Sequence, residues 1–216
     1  MAVKKKNRKR KGRGVGNTGC IIAIIIAVII IVLLIVGVLI VNSVLKAGIE
    51  MSERISEDVE QNNYPLEYTE FVEKYSDEFN VPESVILAMI KVESDFDENA
   101  ISQAGACGLM QLMPDTFTWL AQKLGEEVTE AQIFDPETNI RYGTYYVSRL
   151  YSQLGNWDNV YAAYNAGPTK VAGWLSDPQY SENGELKNIP YPETEYHIFK
   201  LRYARAKYIE LYNLGE

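Results

Sequence analysis

Glu93 ends the apolar run Val85-Ile86-Leu87-Ala88-Met89-Ile90-Lys91-Val92-Glu93. At helical spacing it shares a face with Ile86, Met89 and Ile90, which lie seven, four and three residues before it. A carboxyl at the edge of an apolar face is costly to ionise, and that favours the protonated form a general acid needs. On spacing alone, a helix-end Glu reaching into solvent fits as well. The other reactive side chains narrow the chemistry. The chain holds one His and two Cys. A usual zinc site draws three or four ligands from His, Cys and carboxylates, and there is no CxxC, no HExxH and no second His. Metallopeptidase and zinc-amidase chemistry are thereby excluded, and no metal and no cofactor is expected.

The elements that must position Glu93 read as helices. Leu66, Tyr68, Phe71, Val72, Tyr75 and Phe79 follow helical spacing, and Pro82 near a first turn restarts a helix through Glu93. Further helices are expected from about Pro114 to Leu124 before Gly125, and from Asp135-Pro136-Glu137 to Leu154 before Gly155. Trp157 to Asn165 and Pro168 to Leu175 read as two short helices around Gly167, and Pro192 to Tyr212 as a long terminal one. No alternating run is long enough to demand a sheet. The expected class is all-α.

Ahead of this domain, Ile21 to Val41 contains no charged or hydrogen-bonding side chain. At about 1.5 Å per residue this run spans roughly 31 Å, the thickness of a bilayer's hydrocarbon core. A cleaved signal peptide has an apolar stretch of only about 7 to 15 residues and an A-x-A-like site, whereas Val41-Asn42-Ser43-Val44 follows here. The run is read as a single transmembrane helix. Eight of the 21 Lys and Arg residues precede position 20, with no acidic residue among them, so a formal charge of -8 leaves 13 basic against 29 acidic side chains beyond that point, or -16. Basic residues beside a span stay cytoplasmic. The expected layout is a basic cytoplasmic tail (1–20), the span (21–41), a polar stalk, helical or not (42–63), and an extracytoplasmic domain (64–216) in a bacterial cell membrane. The acidic balance of the domain disfavours a nucleic-acid partner. Cys20 and Cys107 fall on opposite sides of the membrane in this layout and cannot pair within one chain.

Four motifs then bear on Glu93. They are Glu93-Ser94, the stretch Ser102-Gln103-Ala104-Gly105-Ala106-Cys107-Gly108-Leu109-Met110-Gln111-Leu112-Met113-Pro114, Ala163-Tyr164-Asn165-Ala166-Gly167, and Tyr191-Pro192-Glu193-Thr194-Glu195-Tyr196. In order and spacing they resemble the lytic transglycosylase catalytic domain of the soluble type, which has a lysozyme-like fold, over roughly residues 65 to 212. The resemblance implies cleavage of the β-1,4 bond between N-acetylmuramic acid and N-acetylglucosamine in peptidoglycan, with 1,6-anhydromuramyl ends as product. It implies Glu93 as sole acid and base, with Gln111 hydrogen-bonded to substrate beside it. Met110 and Met113 would shape the cleft and pack beneath it, although core packing accounts for both equally. Ser102 would approach the N-acetyl or peptide-bearing sugar. Tyr164 and Asn165 would line the cleft, the Tyr hydroxyl orienting the carboxyl, while Asn165 serves equally as a turn residue before Gly167. Tyr196 matches the tyrosine of the last motif, but Glu195 stands where many relatives carry Arg. Cys107 reads as a small buried thiol.

Three other readings compete. A hydrolytic muramidase like goose-type lysozyme would need a second carboxyl, for which Asp95, Asp97 and Glu98 are nearest in sequence. A cysteine peptidase would need Cys107 as nucleophile and His197 as base. A non-catalytic wall-binding protein would keep the fold without the chemistry, which an intact Glu93, Gln111 and Tyr164 argue against. Oligomeric state is not legible.

Overall fold

A computed structural model describes residues 17–215, so the expected tail before residue 17 lies outside the described residues. The chain divides into two units, one ending at Ser56 and one beginning at Glu57. Helix α1, Asn17–Asn63, runs without a break through the apolar segment and on through the polar segment that follows it. Its apolar side chains from Ile21 to Val41 are all exposed. Among the described residues α1 is the helix long and apolar enough to cross a membrane.

The unit from Glu57 onward is built from α2 (Thr69–Phe79), α3 (Glu83–Ser94), α4 (Pro114–Leu124), α5 (Pro136–Leu154), α6 (Trp157–Ala166), α7 (Pro168–Ser176) and α8 (Pro192–Tyr212). These bounds agree closely with the helical periodicity, because caps and stops are local. Asp135 accepts from the Thr138 amide at the start of α5, Asn156 accepts from Asp158 and Asn159 amides at the start of α6, and Gly125 and Gly155 end α4 and α5 with positive φ. Helix α2 starts later than its apolar pattern suggests. Tyr68 has φ 55, which ends any helix there, so Leu66 and Tyr68 belong to the preceding turn.

Two elements lie outside the helices expected from the sequence. Glu130–Phe134 forms a short 3₁₀ helix closed by a Thr129/Gln132 capping box. Ser181–Glu182 (β1) and Glu185–Leu186 (β2) form a two-residue-strand hairpin. Its turn is Asn183-Gly184, both at positive φ, the residue pair that favours such turns. Buried Asn159 holds the hairpin to α6, donating to Gly184 O at 2.8 Å and accepting from the Leu186 amide at 3.3 Å.

Helix α3 is the centre of the unit. Every residue from Ser84 to Ile90 is buried, and α3 packs along α8. Its core neighbours include Tyr161 and Ala162 of α6 and Ile198, Leu201 and Tyr208 of α8. A helix buried all round cannot shift its register without opening cavities, so the position of Glu93 is set by packing on several sides.

Candidate active site

Glu93 is the penultimate residue of α3, and its side chain is 15% exposed. The apolar face proposed from spacing is present, since Ile86, Met89 and Ile90 are buried. The chain turns away directly after it: Asp95 caps α3 with φ 54 and Phe96 continues at φ 66. Ser94 secures this end, its hydroxyl donating to Leu109 O at 2.8 Å. The carboxyl therefore points into an open cleft of about 640 Å³ instead of continuing along a surface helix.

The loop from Ile101 to Leu112 forms one wall. It folds back through bridges of Ile101 and Leu112 to Cys107. Ser102 accepts from the Ala106 amide at 3.0 Å, so its hydroxyl also shapes the turn it stands in. Gln111 lies at φ 50, and its amide nitrogen donates to Ala100 O at 3.1 Å and Gly108 O at 3.0 Å. Both amide protons are thus spent on the loop, and the carbonyl oxygen is the group left to face the cleft. Behind the loop stands Asn139 of α5, fully buried. It accepts from the Met110 amide at 2.7 Å and donates to Cys107 O at 3.1 Å and Ile133 O at 2.7 Å. A Cβ on Gly108 would lie 2.3 Å from the Asn139 amide nitrogen, so this contact requires glycine as much as the φ of 76° does.

The structure sorts the expected site residues. Ser102, Gln111, Met113, Tyr164 and Asn165 line the cleft with Glu93. Met110 does not: it is 0% exposed in the core, against Gly143, where any Cβ would meet its sulfur at 2.3 Å. Met113, 42% exposed, is the methionine that reaches the cleft. The Tyr164 hydroxyl donates to Met110 O at 2.6 Å. A phenol has one proton, so Tyr164 does not donate to Glu93 as expected. Burial, with the nearby Glu93 charge, holds its hydroxyl well above the usual tyrosine range. Asn165 accepts from Thr194 at 2.7 Å, joining the end of α6 to the start of α8.

Tyr196 is not part of the cleft. It is 62% exposed and stacks on Phe199 along the outer side of α8. One residue further turns the helix by about 100°, and it is His197 that faces inward. His197 is 6% exposed, and its Nε2 lies 2.9 Å from Glu93 Oε1. Glu193 and Lys200 line the cleft from the same side of α8. Glu193 and Lys200 stand four residues before and three after His197, the helical spacing that marks this triplet in the sequence, whereas the tyrosine of the last motif stands at position 196.

The carboxyls near Glu93 in sequence are engaged elsewhere. Asp95 pairs with Lys91, Asp97 accepts from the Asn99 amide, and Glu98 accepts from the Tyr68 hydroxyl. None lines the cleft. Cys107 is buried and opens on a separate cavity with Phe117 and Ile133, and burial raises its thiol above the ordinary range. An activated nucleophile needs the opposite shift and a neighbouring base, and His197 is committed to the other cavity.

Residues 70–186 match the family described as Transglycosylase SLT domain. The chain belongs to this family. It is 33% identical over 144 residues to the soluble lytic murein transglycosylase of Escherichia coli, covering 64% of this chain and 22% of that protein. It is 34% identical over 133 residues to membrane-bound lytic murein transglycosylase C of Edwardsiella ictaluri, covering 56% of this chain and 36% of the relative. The chain thus spans less than half the length of these curated relatives. Among solved structures, it is similar to an inactive Glu-to-Gln variant of the lytic transglycosylase Slt from Pseudomonas aeruginosa. The TM-score is 0.64 at 31% identity, over 71% of this chain and 25% of that one. The 70 kDa soluble lytic transglycosylase of Escherichia coli gives the same TM-score and identity over 70% of this chain. The lysozyme-like SLT fold expected from the four motifs is the fold of this domain.

Proposed function

We propose that the chain is a peptidoglycan lytic transglycosylase, a lyase that cleaves the β-1,4 bond between N-acetylmuramic acid and N-acetylglucosamine without water. The observation that carries this is Glu93: a half-buried carboxyl at the end of a core helix, opening on a cleft of the SLT domain. Protonated Glu93 gives its proton to the glycosidic oxygen as the bond to muramyl C1 breaks, and the electron pair leaves with N-acetylglucosamine. The muramyl N-acetyl carbonyl stabilises the positive centre at C1. The Glu93 carboxylate then takes the proton of the muramyl C6 hydroxyl as O6 bonds to C1, forming the 1,6-anhydro ring and restoring protonated Glu93. One carboxyl serves both steps because acting as acid leaves it as base.

Hydrolysis by two carboxyls is the weaker reading. The carboxyls that follow Glu93 in sequence lie outside the cleft, and Glu193, which is inside it, is exposed on its rim. Ser102, Gln111, Met113, Tyr164 and Asn165 are read as substrate-facing residues, with Met110 supporting them from the core and Tyr196 left outside.

Helix α1 is read as a single-pass anchor with a cytoplasmic amino terminus, the basic cluster before the span supporting that orientation. Residues 42–63 then form a helical stalk, and the SLT domain faces the wall from outside the membrane.

Mass spectrometry of muropeptides released by the protein tests the reaction. Ends lighter by one water than reducing muramic acid are expected, and reducing ends would establish a hydrolase. Glu93→Gln keeps the shape and removes the transferable proton, so it is expected to abolish glycan cleavage while wall binding persists. Retained cleavage would sink the assignment of Glu93.

A further inference from the structure

We propose that His197 gives the two oxygens of Glu93 different tasks: as a neutral imidazole donating from Nε2 it occupies Oε1, and so confines the transferable proton to Oε2. The proposal rests on the reading of Glu93 as acid and base given above.

The hydrogen bond of 2.9 Å between Nε2 and Oε1 is compatible with more than one placement of the proton. The other ring nitrogen decides among them. Among the described residues, His197 Nδ1 is buried with no hydrogen-bond partner. A proton on Nδ1, in the other neutral tautomer or in the imidazolium, would be a buried donor with no acceptor. A bare ring nitrogen leaves only a lone pair unpaired, which buried sites tolerate better than an orphan N–H. The proton therefore sits on Nε2 and points at Oε1. It stays there in both states of Glu93, since the carbonyl oxygen of a carboxylic acid accepts as a carboxylate oxygen does. The acid proton is left with Oε2 as its site. In the alternative tautomer Oε1–H would donate to Nε2, turning the proton towards the ring and away from substrate.

The surroundings keep the imidazole in this role. Thr194, one turn earlier, ties α8 to Asn165 of α6, and Ile198 beside His197 is buried against the core. The ionisable groups facing the same cleft are Glu93 from α3, Tyr164 from α6, and Glu193 and Lys200 from α8 itself. The Tyr164 hydroxyl bonds Met110 O, and among the described residues it makes no hydrogen bond with Nδ1. In cleavage the proton leaves Oε2 for the glycosidic oxygen, and the C6 hydroxyl proton returns to Oε2. His197 neither gains nor loses a proton, and is a positioning residue.

Because the chain contains a single His, nitrogen-15 NMR of the detergent-solubilised full chain reads its tautomer directly. A neutral Nε2–H form at pH 7 is expected; an Nδ1–H form or an imidazolium overturns the proposal, whatever the enzyme does. Kinetics give the second measurement, with folding checked by thermal unfolding. His197→Phe keeps a ring and removes the donor. It is expected to lower kcat for anhydromuramyl release about ten- to a hundredfold at little-changed KM. His197→Gln restores an N–H donor and is expected to recover most of the loss, to within about fivefold of the parent. Equal losses in both variants, or a loss that appears in KM with kcat unchanged, would overturn the positioning role. If instead Glu93→Gln still cleaves glycan, the assignment of Glu93 falls first, and the NMR result stands apart from it.

Discussion

Asn139 shapes one wall of the cleft without lining it. Asn139 is polar and fully buried on α5, and it satisfies three backbone groups, two of them in the loop that carries Gln111. Asn139→Leu fills similar space but strands the Met110 amide and the Cys107 and Ile133 carbonyls. A destabilisation of about 3 kcal/mol is expected in thermal or urea unfolding, together with lost cleavage because Gln111 is no longer held at φ 50. Tyr164→Phe removes one such bond, to Met110 O, and should cost about 1 kcal/mol. At this scale the sequence marked Glu93 correctly as an edge residue of an apolar face. It could not show that the Tyr164 proton is spent on a backbone carbonyl, nor that His197 rather than Tyr196 turns inward, because both depend on how α6 and α8 dock against α3.

At the scale of elements, α5 is held from two sides by carboxylates. Glu137 in its first turn accepts from the Tyr75 hydroxyl at 2.8 Å and pairs with Lys74 of α2 at 2.6 Å. Glu126, after α4, accepts from Arg141 and Tyr142 of α5. The Lys74 and Tyr75 hydrogen bonds hold the Glu137 carboxyl below its ordinary value of 4.5. Burial pushes the Glu126 carboxyl up, but Tyr142 and Arg141 outweigh it, and the net shift is also downward. A depressed carboxyl contributes stability above its unfolded value and loses it as pH falls through its folded value. These clasps should therefore hold at pH 5 to 8 and weaken progressively as pH falls from about 4.5 through their lower folded values. Unfolding midpoints measured across that window should drop less steeply on acidification in Glu137→Gln than in the parent. Helix bounds were the most legible feature here, since Asp135, Pro136, Asn156 and the glycines after α4 and α5 act within one turn of the chain. The Asn183-Gly184 hairpin carried a local signal too, but strands of two residues are too short to show alternation.

At the scale of the molecule, the unit from Glu57 onward contains the whole core and the whole cleft. Lys207 of α8 pairs with Glu60 at 3.0 Å, and the Tyr208 and Tyr212 hydroxyls donate to Pro65 O and Tyr64 O. Residues 57–216 expressed alone should therefore be soluble, unfold cooperatively and release anhydromuropeptides, while the full chain sediments with membranes until detergent is added. Aggregation of the shorter chain, or a full chain that stays in the aqueous fraction, would contradict this division. The sequence by itself determined the all-α class, the helix boundaries, the long apolar segment and the candidacy of Glu93, because each is written in side-chain periodicity and turn chemistry over a few consecutive residues. Only the tertiary structure decided which faces meet across 104 residues to pair Glu93 with His197. It also placed Met110 in the core and Met113 in the cleft, and set Cys107 on a different cavity from His197. Those outcomes follow from close packing between helices distant in the chain, where a rotation of one residue exchanges inside for outside.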